Sequence, residues 1–392
     1  MARFIQIHYL TSYPAALLNR DDVGFAKRIP FGGVTRTRVS SQCIKRHWRT
    51  FQGEDSLSSI EDTDMAIRSR LTFDRFVYEP LIAEGIDQKM AKEVTAALMA
   101  KVLGESAKAK KGKAVSAEDP KLATGQITVL GKPELDYLKQ EALSMCSEAE
   151  GKKIGDLVKN HFTKEKKANI KALQQGAGLD AALFGRMVTG DILARCDAAL
   201  HVAHAFTVHA EATESDYFTA VDDLLGDSDD AELGSAHIGN TELTSGLFYG
   251  YTVIDVPLLI DNLGGDISLA SEVTRRMVHL ASKVSPGAKL GSTAPHAYAH
   301  LVIIESGSSQ PRTLANAFLQ PVAERPDLAA NTCEALASHL RGLDAMYGNA
   351  DRRYASLGDD TAMEQLAKRF ATLADLAEWA GGEAGGVTCS TP

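Results

Sequence analysis

Apolar and polar side chains alternate with a period of two near the start of the chain. In Arg3–Leu10 the two interleaved sets are Phe4, Gln6 and His8, and Ile5, Ile7 and Tyr9. This period predicts a β-strand that buries one face. A shorter alternation over Thr35–Ser40 predicts a second strand, which carries Arg36 and Arg38 at alternate positions.

The period changes after Ser40, and a helix is predicted there. Serine is a favoured N-cap residue, and Ser40-Ser41 precedes residues that can form an inward helical face: Ile44, His47, Trp48 and Phe51. From about Ser56 to Leu183 the pattern remains helical and polar. Within it, Lys101–Lys121 is poor in large apolar residues, which is typical of a solvated loop.

The second half of the chain returns to strands. Strand-like segments lie at Asp180–Val188, Ala199–Ala210, Ser245–Val256 and Tyr298–Glu305. Ala270–Val284 has an amphipathic helical pattern, Met363–Ala380 is a further predicted helix, and the glycine-rich residues from Gly381 onwards resemble a frayed tail.

Without its insertions, the chain reads strand, helix, strand, strand, helix, strand. This order predicts an α+β fold with a ferredoxin-like core, the arrangement of RNA-recognition (RRM-like) modules. A helical block is then inserted after the first helix, and a long excursion separates two later strands.

Composition places the 392-residue chain among ordinary globular proteins, with 44% hydrophobic and 24% charged residues. No apolar run reaches the roughly 20 residues that span a bilayer, and the first residues lack the apolar core of a signal peptide. We therefore expect a cytoplasmic protein without a membrane partner. The five cysteines are scattered without metal-ligand spacing, which indicates reduced structural thiols.

Charge is unevenly distributed, although the net charge is −9. Residues 1–50 hold nine lysines and arginines against Asp21 and Asp22, whereas Asp197–Glu272 contains neither lysine nor arginine. A local basic field can attract a polyanion despite a negative total. The alternative is that the two segments attract each other within the fold.

A set of short motifs recurs in this order in one known family. They are Asn19–Asp22, Phe31–Gly33, Arg36–Arg49, Gln174–Gly176, Gly185–Met187, Ala203–Ala205, Phe218–Leu224, Gly234–Gly239 and Ser285–Lys289. In order and spacing the chain resembles CasC, the backbone subunit of the type I-E CRISPR Cascade complex. Lys101–Lys121 and the residues after Gly381 depart from the family pattern.

The resemblance implies a right-hand shape. Its parts are a palm at residues 1–55, 181–210 and 245–310, helical fingers at 56–180, a β-hairpin thumb at 211–244, and a C-terminal helical segment and tail at 311–392. Copies would polymerise along the CRISPR guide RNA (crRNA), beside other Cascade subunits, and present its bases to target DNA. Nuclease activity belongs to other proteins of such systems, so neither catalysis nor a cofactor is expected here.

The segment around the first helix offers the groups that hold phosphates: cations, a hydroxyl, an amide and a helix start. The candidate RNA-binding residues are Arg20, Arg38, Ser40, Gln42, Lys45, Arg46 and Arg49. Lys45 and Arg49 share a helical face because they are four residues apart. Arg46 could point elsewhere, and Arg20 could instead pair with Asp21 or Asp22.

The family pattern adds residues that could wedge between bases of any sequence, namely Met187, Phe218 and Thr219. Core packing is the alternative for the Met and the Phe. Lysines of the predicted fingers could steer target DNA, or form a solvated helix face: Lys152, Lys153, Lys164, Lys166 and Lys167.

No catalytic or metal constellation is recognisable. The histidines 201, 204, 209 and 237 do not have the spacing of a metal site, and Gly234–Gly239 is followed by Asn240 where a Walker motif needs lysine. Two alternatives stay open: a guide-processing ribonuclease that uses Asp21, Asp22 or the histidines, and a helical scaffold that binds only protein.

Overall fold

The computed structural model describes residues 2–103, 122–149, 157, 161, 178–186, 196–221, 235–358 and 361–386. The strands are β1 (Phe4–Ala16), β2 (Arg28–Phe31), β3 (Val34–Val39), β4 (Ile67–Ser69), β5 (Thr128–Leu130), β6 (Leu200–Val202), β7 (Ala205–Thr207), β8 (Thr213–Val221), β9 (Ser235–Asp255), β10 (Leu301–Gly307), β11 (Asp351–Ser356) and β12 (Lys368–Arg369).

The helices are α1 (Ser41–Thr50), α2 (Glu79–Ala83), α3 (Gln88–Leu103), α4 (Lys132–Glu148), α5 (Leu179–Phe184), α6 (Val256–Asn262), α7 (Ile267–Lys283), α8 (Leu290–Thr293), α9 (Leu328–Tyr347), α10 (Thr361–Glu364) and α11 (Leu373–Gly385). Short 3₁₀ turns lie at Leu57–Ser59 and Ala315–Phe318, and a π turn at Asp74–Tyr78. None of the helices in this described part is long and apolar enough to cross a membrane.

The chain forms two compact units. Unit one comprises residues 1–56, 201–256 and 267–392, and unit two comprises residues 57–200 and 257–266. The fold is α+β, because unit one is built on a large mixed sheet and unit two is mainly helical.

The sheet of unit one has the strand order β12-β11-β10-β1-β9-β7-β3-β2, and β6 and β8 pair with β9. Its four central strands, β10-β1-β9-β7, are all antiparallel to their neighbours. In the centre, Ile7 of β1 lies between Ile304 of β10 and Thr252 of β9. The predicted strands at Thr35–Ser40 and Tyr298–Glu305 and the helix at Ala270–Val284 are confirmed within a few residues. Ala199–Ala210 forms two short strands, β6 and β7, and the strand predicted from Ser245 begins ten residues earlier, at Ser235.

One prediction about β1 is wrong, because the strand is buried on both faces. Ile5 and Ile7 have no exposed surface, but His8, on the face predicted to meet water, is only 1% exposed. Leu336 and Leu340 of α9 cover that face, together with the 3₁₀ turn at Ala315–Phe318. The polar side chains find partners there: His8 Nδ1 lies 2.9 Å from the Tyr249 hydroxyl, and Gln6 Oε1 accepts from the Tyr251 hydroxyl at 2.8 Å.

A buried ionic network lies on the same face of the sheet. Arg352 donates from Nε to Glu305 at 2.8 Å and from Nη1 and Nη2 to the two oxygens of Asp344 at 3.1 and 3.0 Å. Burial alone would raise the pKa of Glu305, but the imidazole of His8, 3.7 Å away, and the charge of Arg352 outweigh burial and hold the pKa at about 2. Burial lowers the pKa of His8, so its neutral form is favoured.

The predicted helix at Met363–Ala380 and the predicted tail are also wrong in part. Lys368-Arg369 pairs with β11, and the Phe370 N–H donates to the Tyr354 carbonyl, so two helices flank a short strand. Thr372 caps α11, which continues to Gly385. A Cβ on Gly381 would lie 3.0 Å from the Ser271 carbonyl oxygen, so glycine there permits the close packing of α11 on α7.

Unit two has its own core between α2, α3, α4 and the π turn, which includes Phe73, Leu98 and Leu138. A buried ion pair joins Arg186 to Glu134 at 2.6 Å, and the same carboxylate accepts from the Gly131 N–H at the start of α4. The strand predicted from Asp180 is a helix, α5, because a continuously buried apolar run has no period that distinguishes helix from strand.

Candidate nucleic-acid interface

Helix α1 begins as the sequence predicts, with Ser40 as its N-cap. The Ser40 hydroxyl oxygen accepts from the Cys43 N–H at 3.3 Å, and the Ser40 N–H donates to the side chain of Asn19 at 2.9 Å. No acidic residue lies in the first turn. The positive end of the helix dipole at this N-terminus therefore remains suited to an anion.

The cations of α1 lie away from its buried stripe, which consists of Ile44 and Trp48. Gln42 and Arg46 are exposed and one turn apart, while Lys45 and Arg49 are partly exposed and one turn apart. Two adjacent rows of polar side chains thus line one side of a helix that is fixed in the core. Their contact with RNA stays a prediction.

Arg36 and Arg38 lie on the same face of β3, but they have different roles. Arg36 is fully buried and donates to three main-chain carbonyls: Phe31 at 3.2 Å, Thr207 at 2.9 Å and Phe318 at 2.8 Å. Burial lowers the pKa of Arg36. The 3₁₀ turn ending at Phe318 covers Arg36 but leaves Arg38 partly exposed.

We expect Arg36→Met to lower the free energy of unfolding of unit one by about 2–3 kcal/mol, because three main-chain carbonyls, two of them in buried hydrogen bonds, lose their donor. Arg38→Met is the matched control on the same face and should change stability by less than about 0.5 kcal/mol. Denaturant titrations followed by tryptophan fluorescence report on unit one, since both tryptophans, Trp48 and Trp379, lie in it. Equal losses in the two variants would contradict the assignment.

Arg38 is held in place by two contacts. Its Nε donates to the Arg28 carbonyl at 3.0 Å, and its Nη1 lies 2.9 Å from Nδ1 of His204. Burial and the charges of Arg38 and Lys27 lower the pKa of His204. From the sequence, His204 is considered as a metal ligand or as a catalytic group of a ribonuclease, and this contact with Arg38 is not predicted.

Arg20 lies in a tight loop between β1 and β2 and is exposed. Among the described residues, neither Asp21 nor Asp22 forms an ion pair with it, so that alternative is wrong. Asp21 instead accepts from the N–H groups of Val23 at 3.0 Å and Phe25 at 2.9 Å. The side chain of Arg20 therefore lies exposed at the loop surface, where an external anion can reach it.

Strands β8 and β9 form an antiparallel arm, in which Phe218 lies opposite Gly239. Phe218 is 40% exposed, so it is not a core residue. A Cβ on Gly239 would lie 2.3 Å from the Phe218 ring, which explains the glycine. The Lys289 ammonium lies 5.3 Å from the centre of the Phe218 ring and donates to Thr241 at 2.5 Å.

The remaining candidates are Thr219 and Met187, which were predicted to wedge between bases, and the lysines predicted to face target DNA. Thr219 pairs with Ile238 in the arm. Met187, Lys152, Lys153, Lys164, Lys166 and Lys167 lie outside the described residues.

The base of the arm is tied to the basic N-terminal segment. Arg28 forms ion pairs with both Glu211 and Glu242, and the Ala26 N–H donates to Glu242 at 2.7 Å. At the base of the arm, therefore, the basic and acidic segments do attract each other within the fold, as the alternative in the sequence analysis proposed.

Within the described ranges, no group of histidines, cysteines and carboxylates could hold a metal ion. His209, one of the candidate histidines, is buried, lies 2.7 Å from the Ala210 carbonyl through Nδ1 and accepts from the Leu247 N–H at 3.2 Å. It therefore has a structural role. Cys43, Cys146, Cys196 and Cys333 are free thiols, as predicted.

Solved structures of other proteins contain chains that are similar to this one. The chain is similar to a chain of a solved CRISPR RNA-guided surveillance complex in a pre-nicking state, with 26% identity, a TM-score of 0.80, and 97% of this chain and 100% of that chain covered. A second CRISPR RNA-guided surveillance complex contains a chain with the same fold, at 24% identity, a TM-score of 0.70, and coverage of 97% and 99%. No curated protein matches by sequence.

The fold is therefore that of a protein class found in CRISPR RNA-guided surveillance complexes. The chain belongs to the CT1975-like protein family, whose model matches residues 5–379. This assignment confirms the resemblance to CasC that the ordered motifs predicted.

Proposed function

We propose that the chain is the crRNA-binding backbone subunit of a type I-E Cascade complex. The observation that carries the proposal is α1: a capped helix start without acidic residues, followed by one exposed row (Gln42 and Arg46) and one partly exposed row (Lys45 and Arg49) of polar side chains. Such a surface binds phosphates without reading sequence. A guide-binding subunit needs that property, because its guide varies.

The topology supports a palm of the ferredoxin type. In that fold four antiparallel strands lie in the spatial order 4-1-3-2, and β10-β1-β9-β7 has the same order when the strands are counted along the chain. On this proposal unit two corresponds to the fingers and the β8–β9 arm to the thumb.

The route of the RNA would differ from that of an RNA-recognition module. Those modules stack bases on the open face of the sheet. Here α9 covers that face, and Tyr249 and His8 are buried beneath it. The guide backbone would therefore follow α1 and the exposed cations beside it, and the bases would remain available for target DNA.

The arm would add stacking contacts. The exposed ring of Phe218 can contact any base, and Thr219 and Met187 would complete the wedge. Successive copies would polymerise along the crRNA beside other Cascade subunits. The lysines 152, 153, 164, 166 and 167 would face the target DNA.

Within this proposal the chain has no catalytic role. Purification of the protein with its partners should yield a guide RNA that carries several copies of the chain, and sizing and mass measurement would count them. Labelled RNA incubated with pure protein, with and without a divalent metal, should remain intact. Cleavage would instead support the guide-processing ribonuclease.

Replacing Asp216–Gly239 with a short Gly-Ser bridge should abolish ordered multi-copy assembly but leave unit one folded. The described residues of the arm from Glu214 to Phe218 are exposed, so the core does not depend on them. Native mass spectrometry on a guide of fixed length measures the copy number, and nuclease protection measures the order of the assembly.

A single substitution gives a finer test of the arm. Phe218→Ala should weaken RNA binding by about 1–3 kcal/mol through lost stacking. Tyr347→Ala, at another exposed aromatic, is the matched control and should have no effect. For the deletion of Asp216–Gly239, a normal copy number and normal nuclease protection of the guide would show that the β8–β9 arm is not the thumb.

A further inference from the structure

The contact between Arg38 and His204 fixes the tautomer of the histidine. A guanidinium carries only donors, so Nδ1 of His204, 2.9 Å from Arg38 Nη1, must be the acceptor. Nδ1 is therefore unprotonated, and the proton of the neutral ring is on Nε2. The nearby charges of Arg38 and Lys27, which lower the pKa of His204, agree with this state.

The two contacts of Arg38 restrict its side chain from two directions. The Arg28 carbonyl receives Nε at 3.0 Å, and Arg28 itself is fixed by strand pairing opposite Thr37. From the other side, Nη1 donates to His204, the residue immediately before β7, and β7 pairs with β3 at Arg38 and Phe206. The donors on Nη2 remain for an external acceptor, because no partner of Nη2 is present in the described part of the chain.

A preoriented arginine binds a phosphate better than a mobile one. An exposed arginine loses about 2 kcal/mol of rotamer entropy when it is fixed. If a protein contact fixes it before binding, less of that cost opposes the binding of RNA.

We propose that His204 is a positioning residue for guide-RNA binding, which orients the Arg38 guanidinium towards a phosphate of the RNA backbone. This role rests on the proposed function and adds to it a residue that acts through Arg38. It also accounts for the Ala203–Ala205 motif, which has no other assigned role.

Asparagine and glutamine substitutions separate positioning from direct contact. In His204→Asn the amide oxygen stands near the position of Nδ1 and can accept from Arg38. In His204→Gln the amide reaches the position of Nε2, so a direct donor to RNA is kept while the acceptor for Arg38 is displaced. His204→Ala removes both functions.

The test measures the affinity of the full chain for single-stranded guide RNA at several salt concentrations. His204→Ala should weaken binding about threefold to tenfold, the range of one hydrogen bond. It should also flatten the slope of log K against log salt by up to about 0.7, because the Arg38–phosphate contact is lost. His204→Asn should stay within about twofold of the unaltered protein.

A double-mutant cycle completes the test, since Arg38→Ala with His204→Ala should bind no more weakly than Arg38→Ala alone. The positioning role would be overturned by additive losses in the double variant, or by rescue with glutamine but not asparagine. Wild-type affinity of His204→Ala beside weak binding by Arg38→Ala would also overturn it, while the proposed function stands. Absence of RNA binding by the unaltered protein would remove the proposed function and this role together.

The free protein gives an independent readout. In protein labelled with ¹⁵N-histidine, the NMR chemical shifts of the ring nitrogens should show His204 with an unprotonated Nδ1 and a protonated Nε2. The substitution Arg38→Ala should raise the pKa of His204 towards the ordinary value of about 6.5. The signal is assigned by its loss in His204→Asn. A protonated Nδ1 in the unaltered protein would contradict the inferred contact.

Discussion

Alanine at both Lys45 and Arg49 is expected to weaken guide-RNA binding about a hundredfold or more at moderate salt. Each charged hydrogen bond to a phosphate contributes about 1.5–3 kcal/mol, and two are lost. The loss should be the same for every RNA sequence, because phosphates carry no base information. The slope of log K against log salt should fall by about 1.4, since each phosphate contact with a single strand contributes about 0.7.

The matched control is Lys368→Ala with Arg369→Ala, which removes the same two residue types. Those residues form β12, at the opposite end of the sheet order from β3 and β2. Their loss should leave the slope unchanged. Thermal unfolding of both variants would verify that α1, whose core contacts are Ile44 and Trp48, remains in place. An unchanged salt slope in a folded Lys45, Arg49 variant would exclude α1 from the RNA site.

The sequence predicted the helix of this site well, because its signals are local. Ser40 caps α1 through a contact that spans three residues, and the stripe of Ile44 and Trp48 is readable from the helical period. The different roles of Arg36 and Arg38 could not be predicted in this way. They depend on a turn near Phe318, about 280 residues away in the chain, which covers one arginine and not the other.

The prediction that one face of β1 meets water failed for a physical reason. Alternation of polar and apolar residues predicts which side chains share a face, but not whether water lies against that face. In β1 the polar set is buried because α9 covers it, and Gln6 and His8 obtain hydrogen bonds from Tyr251 and Tyr249. Only the tertiary packing of α9 decides this.

The cover over the sheet also changes what the fold can do. An open sheet face in an RNA-recognition module exposes aromatic residues to bases. In this protein the aromatic residues of the central strands, such as Tyr249, pack against Phe318 and the hydrophobic cluster under α9. The exposed cations of α1 and the exposed Phe218 then become the groups that can meet a nucleic acid.

The ionic network beneath α9 leads to the second large expected effect, which is on stability. Arg352→Met should lower the free energy of unfolding of unit one by about 3–5 kcal/mol at neutral pH, the usual cost of removing one partner from a buried ion pair. Arg352 is 2% exposed and binds Glu305, Asp344 and the Leu366 carbonyl. Without it, Glu305 and Asp344 keep their ion pairs with Arg312, at 3.6 and 3.4 Å, but lose the closer contacts of Arg352.

The size of this effect should depend on pH in a defined direction. The pKa of Glu305 is about 2 in the folded protein and near 4.3 when unfolded, so its ionised form stabilises the fold above about pH 4.3. That stability is lost as the pH falls towards 2. In Arg352→Met the pKa of Glu305 should rise. Protonation of Glu305 then removes the buried charge that has lost its partner. The difference in the free energy of unfolding between the unaltered protein and Arg352→Met should therefore shrink between about pH 5 and pH 2.

Urea titrations followed by the fluorescence of Trp48 and Trp379 measure this difference at each pH. The control is the double variant Glu305→Gln, Arg352→Met, which removes the uncompensated charge and should recover part of the lost stability at pH 7. Its own free energy of unfolding should fall less with acidification than that of the unaltered protein, because the carboxyl group whose pKa is lowered is absent. A deficit in Arg352→Met that stays constant from pH 7 to pH 3 would mean that lost packing, and not the buried charge of Glu305, determines the effect of Arg352.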